Sequence, residues 1–394
     1  MLTPDTLPRF HAALRDADVD GWLLYDFRGT NAIAGGLLGL EGMLSRRIFA
    51  WVPRDGSPVA ITHAIEQAPW ARWPAGWGRV VYRSWRELEA ALAGCVGGRR
   101  VAMEYSPGDA VPYVDRVPAG VLEMVRAAGA EVVGSGELVS RLYAAWTPAQ
   151  LAAHRRAAEH VAAVAREALA HAGAEARAGR PVLEHELAAR VRAGFARAGL
   201  ETDHDHGPIA AAGANAANPH YEPSPERPHP IAAGDVLLLD LWAREPGAPY
   251  ADQTWMAVLG EPTAHAVTVW EAVRDARDAA AELLRARLAG GGVVRGAEAD
   301  RAARAVIEAR GFGAYFTHRT GHSIDVRELH GAGPHLDDLE TRDERLLIPG
   351  VGFSIEPGVY IPGVLGVRSE INGAVDEDGL VVTPAEPQRE LLVV

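Results

Sequence analysis

The chain has 394 residues, with 39 basic and 52 acidic side chains and a formal net charge of −13. A surface that negative repels phosphate backbones and anionic lipid, which argues against nucleic acid and membrane surfaces as partners. The length exceeds what one hydrophobic core usually serves, and a single cysteine, Cys95, leaves no disulfide framework, so two domains in a reducing compartment are expected.

Apolar residues at 48% and charged residues at 23% are ordinary for a globular enzyme. Met1-Leu2-Thr3-Pro4-Asp5 lacks a basic segment followed by an apolar one, so no signal peptide is expected. No uninterrupted apolar run reaches about 18 residues, so no membrane span is expected either. The cytoplasm is the expected location.

In chain order, Leu7 to Leu14 reads as a helix and Trp22 to Tyr25 as a short strand. Arg47 to Val52 and Val59 to Thr62 read as strands around the turn Pro53-Arg54-Asp55-Gly56. Leu88 to Leu92 reads as helix and Arg100 to Glu104 as strand, giving an α/β domain ending near residue 145. Trp70, Trp73 and Trp77 are read as packing for this domain. Thr147-Pro148-Ala149-Gln150 has the form of a capping box, so a second domain is expected to open there with a long helix to about Ala172. Another helix is expected over Leu183 to Ala198. Val236 to Trp242 and Tyr250 to Leu259, joined by Glu245-Pro246-Gly247-Ala248-Pro249, read as a β-hairpin. Helices from Ala264 to Leu288 and Ala297 to Arg310 follow, then a strand-rich tail from Gly352. Helices followed by strands mark this second domain as α+β.

Five side chains stand out as candidate ligands: Asp240, Asp252, His322, Glu356 and Glu370. If the hairpin pairs Arg244 with Tyr250, Asp252 lies opposite Trp242 and Asp240 is a diagonal neighbour on the same face, about 7–8 Å away. Taken singly, Asp240 reads as a strand end near solvent, and each glutamate as an edge charge or half of an ion pair. His318 and His322 flank a glycine, which favours a loop over a shared helix face. Taken together, four carboxylates balance the charge of two divalent cations, and one imidazole completes an oxygen-rich set suited to Mn²⁺ or Co²⁺, with Zn²⁺ an alternative. Two such metals can share a bridging hydroxide, the nucleophile of a hydrolase.

These residues occur in the contexts Leu-Leu-Leu-Asp, Ala-Asp-Gln-Thr, Arg-Thr-Gly-His, Ile-Glu-Pro-Gly-Val-Tyr and Gly-Val-Arg-Ser-Glu. In that order they closely resemble the pita-bread metallopeptidases, which include prolidase, aminopeptidase P, methionine aminopeptidase and creatinase. The resemblance covers about residues 147 to 394. It implies a pita-bread catalytic domain over 147–394, preceded over 1–146 by an α/β domain like the creatinase N-terminal domain. By this resemblance the five residues bind a dinuclear metal centre, with Asp252 and Glu370 as the bridging or multiply coordinating pair. Asn218-Pro219-His220-Tyr221 resembles the segment with a substrate-side histidine, so His220 is a catalytic candidate and Tyr221 a substrate contact. His330 and His318 resemble further pocket histidines, and Glu356 would shuttle a proton to the leaving amine. Arg368 or His220 would read a substrate carboxylate. The implied activity is cleavage at Xaa-Pro bonds by a homodimer acting on small peptides with proline second, with a dipeptidase favoured over an aminopeptidase. Trp242 departs from the family's usual glycine two residues after the first aspartate.

Two other classes stand beside this one. A metal-free relative, creatinase-like or a binding module, would be marked by lost carboxylate ligands, and all five ligands are present. Methionine aminopeptidase is disfavoured by the large N-terminal domain. Asp203-His204-Asp205-His206 looks like a metal tract and is read as a solvent-facing turn. Gly290-Gly291-Gly292 lacks phosphate-loop spacing.

Overall fold

The structure is a computed structural model and describes residues 1–203 and 207–394. The expected turn at His204 and His206 lies outside the described residues. The chain divides into two compact units, Met1–Tyr143 and Ala144–Val394.

The first unit contains α1 (Leu7–Asp16), β1 (Gly21–Phe27), α2 (Ala32–Leu38), β2 (Arg47–Pro53), β3 (Val59–His63), β4 (Gly78–Tyr82), α3 (Trp85–Val96), β5 (Arg100–Met103), α4 (Ala119–Ala127), β6 (Glu131–Gly134) and α5 (Gly136–Val139). Its six strands form one mixed sheet in the order β4-β3-β2-β1-β5-β6. Leu23 and Phe49 from the sheet pack with Leu88, Leu92 and Val125 from α3 and α4, the burial that alternating apolar strands and amphipathic helices require. Trp70 is fully buried and stacks edge-on with Trp73, which stacks in turn with Trp77. The three tryptophans therefore pack this unit, as expected.

The second unit opens with α6 (Pro148–Arg177). Thr147 Oγ1 accepts the Gln150 amide at 3.3 Å while Gln150 returns a bond to the Thr147 amide at 2.8 Å, the capping box expected from sequence. The helix runs past Ala172 through Gly173, where a side chain would collide with Val394 at 2.6 Å. It stops where Gly179 takes a left-handed φ of 71°.

Next come α7 (Glu184–Arg197), β7 (Ile209–Ala212), β8 (Val236–Ala243), β9 (Ala251–Val258), α8 (Ala264–Leu288) and α9 (Gly296–Ala309). The strands β10 (Ser323–Ile324), β11 (Gly352–Ile355), β12 (Gly358–Ile361), β13 (Leu365–Arg368), β14 (Ile371–Asp376), β15 (Gly379–Thr383) and β16 (Leu392–Val393) complete the unit. They form sheets in the orders β16-β9-β8-β7 and β10-β11-β14-β15, with β12-β13 as a separate hairpin. The expected hairpin forms, with Trp242 opposite Asp252.

β8 explains its own unbroken apolar run. Leu237, Leu239 and Leu241 join a core with Val161 and Leu169 of α6 and Val191 of α7. Leu238 and Trp242 point the other way, into a core with Val269 and Val273 of α8 and Ile307 of α9. A strand covered on both faces needs apolar residues on both, so period-two alternation is lost. The single polar interruption, Asp240, shares its face with Leu238 and Trp242.

Candidate metal centre

Each candidate ligand sits on or beside a strand of the second unit. Asp240 and Asp252 occupy one face of the β8–β9 pair, where Asp240 lies opposite Thr254. Glu370 lies between β13 and β14, and its amide reaches the Thr254 carbonyl at 3.4 Å. Glu356 lies between β11 and β12 and donates its amide to the Thr320 carbonyl at 2.7 Å. His322 precedes β10 and accepts the Ser354 amide at 2.9 Å through its carbonyl. Backbone bonds between neighbouring strands thus carry all five side chains to one place.

The arrangement is tight. His322 Nε2 lies 3.3 Å from Asp252 Oδ2 and 3.5 Å from Glu356 Oε1. One donor atom each from Asp252, His322 and Glu370 falls within 4.8 Å of the others. Asp240, Asp252, His322 and Glu370 are all buried, and Glu356 is partly so.

Concentrated negative charge away from water distorts ionisation. Burial, followed by the charges of Asp252, Glu356 and Asp240, holds the Glu370 carboxyl well above the usual carboxylate range. Burial likewise raises Asp252 and pushes Asp240 up to about 7, the latter against the pull of Arg368. Glu356 goes the other way. Burial would raise it, but the charges of His322, Arg368, His318 and His330 outweigh that and bring it down to about 2.

Whether these residues fit a divalent metal rests on their donor atoms. Asp252 Oδ1 and Glu370 Oε1 are buried with no hydrogen-bond partner among the described residues. A buried carboxylate oxygen without a donor is costly, and a cation resolves that cost. Four hard carboxylates and one imidazole are the donor types such cations take. The residues fit.

Several side chains that hold the site escaped the sequence reading. Thr254 Oγ1 donates to Glu370 Oε2 at 2.9 Å and accepts from Arg368 Nε at 2.8 Å. Asn372 grips the Asp252 backbone with both ends of its amide, at 2.9 and 2.7 Å. Ser354 Oγ donates to Glu356 Oε1 at 2.9 Å and accepts the His322 amide at 2.9 Å. Each lies two residues from a candidate ligand, Thr254 on the same face of β9 as Asp252, and that spacing was the available signal.

The remaining candidates fall around the cluster. His330 stacks on His322 with ring centroids 4.0 Å apart. His220 is exposed, and its charge helps lower the His330 pKa, an effect dominated by His322. His318 Nδ1 bonds the Arg319 carbonyl at 2.6 Å, which makes it the protonated nitrogen; Nε2 then accepts from the Tyr360 hydroxyl at 2.9 Å. Tyr360 in turn accepts from Arg368 at 3.3 Å. Arg368 is buried and also pairs with Asp240, so its donors are spread over Asp240, Thr254 and Tyr360. The Tyr221 hydroxyl points to Glu184 and Asn215.

Comparison with known proteins agrees with this geometry. Over residues 152–383, more than half of the chain, the sequence matches the model of metallopeptidase family M24. It is 37% identical over 172 residues to an Xaa-Pro dipeptidase of Lactobacillus delbrueckii subsp. lactis, covering 43% of this chain and 42% of that protein. It is 33% identical over 187 residues to a probable dipeptidase, PepE, of Mycobacterium tuberculosis, covering 47% of this chain and 46% of the relative. The matches thus span less than half the length of these curated relatives. Among solved structures, dipeptidase PepE from Mycobacterium ulcerans has the same fold, with a TM-score of 0.75 at 24% identity over 99% of this chain and 97% of that one. A dipeptidase from Pyrococcus horikoshii OT3 is similar at 26% identity, with a TM-score of 0.66 over 98% and 99% of the two chains. The ordered motifs, the α+β fold and the buried carboxylate cluster therefore have one common account: the chain belongs to metallopeptidase family M24.

Proposed function

We propose that this protein hydrolyses Xaa-Pro peptide bonds in a metal-dependent reaction, as an Xaa-Pro dipeptidase acting on small peptides with proline second. One observation carries the reading. Asp240, Asp252, His322, Glu356 and Glu370 converge in a buried cluster in which two carboxylate oxygens find no donor among the described residues. The substrate class is supported by the likeness to a protein named Xaa-Pro dipeptidase. We read the cluster as a site for two divalent cations (Mn²⁺, Co²⁺ or Zn²⁺), since four carboxylates match their charge.

When bound, such cations supply Lewis acidity toward the scissile carbonyl and lower the pKa of water. The protein's own residues do the rest. Arg368 and Thr254 hold Asp240 and Glu370 in place, so the ligands do not reorganise when charge develops. Ser354 orients Glu356, which accepts a proton from the attacking water and passes it to the leaving amine. His330 and His220 offer N–H groups to the scissile carbonyl oxygen or to the substrate carboxylate. His318 acts through Tyr360, which it keeps turned toward Arg368. In this reading residues 147–394 form the catalytic domain, residues 1–146 a creatinase-type domain, and the protein works as a cytoplasmic homodimer. Among the described residues no helix is long and apolar enough to cross a membrane.

The test is hydrolysis of Ala-Pro and of Ala-Pro-Ala with added Mn²⁺ and then with excess chelator. Metal-dependent cleavage of the dipeptide alone is expected. Cleavage of the tripeptide at a similar rate would replace the dipeptidase with an aminopeptidase, and cleavage of neither would end the reading.

A further inference from the structure

The segment that carries His220 is irregular, yet a buried acid secures it. Glu184 opens α7 and is 1% exposed. Among the described residues of the second unit no cationic side chain pairs with its carboxylate; three donors from a single downstream stretch surround it instead. The Ala212 amide reaches Oε1 at 2.7 Å. The Asn215 side-chain amide reaches both oxygens, at 3.1 and 3.2 Å. The Tyr221 hydroxyl reaches Oε2 at 2.5 Å. Asn215 and Tyr221 also bond each other at 3.1 Å, closing the network.

Both ends of the short helical turn Gly213–Ala217 are thus tied to one carboxylate. The turn itself lies directly on β13. A side chain at Gly366 would sit 1.7 Å from the Ala216 carbonyl oxygen, so only glycine permits the approach. Asn218 then fixes the next step, its side-chain oxygen accepting the His220 amide at 3.1 Å. Hydrogen bonds to a buried carboxylate are stronger than neutral ones, and losing one leaves a costly unsatisfied group.

We propose that Glu184 is a positioning residue which, through Asn215 and Tyr221, fixes the 212–221 segment and so sets where His220 stands beside His330. Tyr221 therefore acts by anchoring and does not touch substrate with its hydroxyl. The proposal rests on the functional reading above for the role of His220, but not for the clamp itself.

Two measurements test it, on Glu184→Gln and on the milder Tyr221→Phe. The first is the ring Cε1–H resonance of His220 in the metal-free protein, identified by its absence from His220→Ala. It is expected to shift or broaden in both variants, while the His154 resonance stays in place. The second is a double-mutant cycle on kcat/KM for Ala-Pro, with bound metal measured alongside. Each variant is expected to lose about tenfold, in line with one lost bond to a charged group, and less than twofold in the His220→Ala background. An unmoved His220 resonance in Tyr221→Phe overturns the clamp, as does an equal loss with and without His220. If the parent protein cleaves no Xaa-Pro peptide, the functional reading falls, and the resonance alone decides for or against the clamp.

Discussion

Thr254 offers the sharpest perturbation of the centre. Among the described residues its hydroxyl is the only group that hydrogen-bonds both Glu370, at 2.9 Å, and the Arg368 Nε, at 2.8 Å. Thr254→Val keeps the shape and β-branching of the side chain and removes both bonds. Arg368 and Glu370 are 5% and 4% exposed, so water does not replace the lost partner. Hydrogen bonds to charged groups contribute about 1.5–3 kcal/mol each, and the two share one atom, so a combined cost of roughly 3 kcal/mol is expected rather than the full sum. Glu370 then loses its orientation toward Asp252 and His322. Residues that orient metal ligands typically govern about 10- to 100-fold in affinity. Mn²⁺ titration by calorimetry should therefore show weakening of that order in Thr254→Val, with a lower melting temperature of the metal-free protein. Affinity within twofold of the parent, together with an unchanged melting temperature, would refute the assignment of Thr254 and weaken that of Glu370.

Three further outcomes follow from the same geometry. Asp252→Ala and Glu370→Ala, each removing a carboxylate with a donor-free buried oxygen, should abolish metal binding measured by elemental analysis and abolish turnover; retained metal in either counts against the ligand set. His220→Ala should keep its metal and lose about 10²-fold in turnover if it stabilises the oxyanion, and unchanged turnover removes it from the mechanism. In the first unit, Glu104 is fully buried, and burial pushes its carboxyl up to about 7 against the bonds from Asn31 and Trp22. Its folded pKa exceeds its unfolded value, so the folded state holds a proton that the unfolded chain releases. Stability is therefore lost as pH rises from about 4.5 through about 7, by about 3 kcal/mol at pH 8. Glu104→Gln should raise the melting temperature at pH 8 relative to the parent and not at pH 5; the same difference at both pH values would sink this account.

Much of the site was legible because strands impose a period of two and hairpin turns fix register. The turn chemistry of 245–249 set the pairing of Trp242 with Asp252, which placed Asp240 and Asp252 on one face without any tertiary information. The capping box at Thr147 likewise marked a helix start from four residues. Where the reading stopped short, at about Ala172, α6 continues to Arg177, and Gly173 leaves room for the distant Val394 to pack against it.

The candidate-ligand types, their order and the hairpin register are local or nearly local properties, and the sequence by itself determined them. Which groups hold those ligands is a different matter. Thr254 meets Glu370 across 116 residues, Asn372 meets Asp252 across 120, and Glu184 meets Tyr221 across 37. Threonine, asparagine and glutamate are common at strand and helix ends for reasons unrelated to any site. They become supports only once two sheets, a hairpin and α7 are folded onto one another and water is excluded between them. Burial turns an ordinary hydroxyl or amide into the one available partner of a charge, and the tertiary structure alone decides what is buried together.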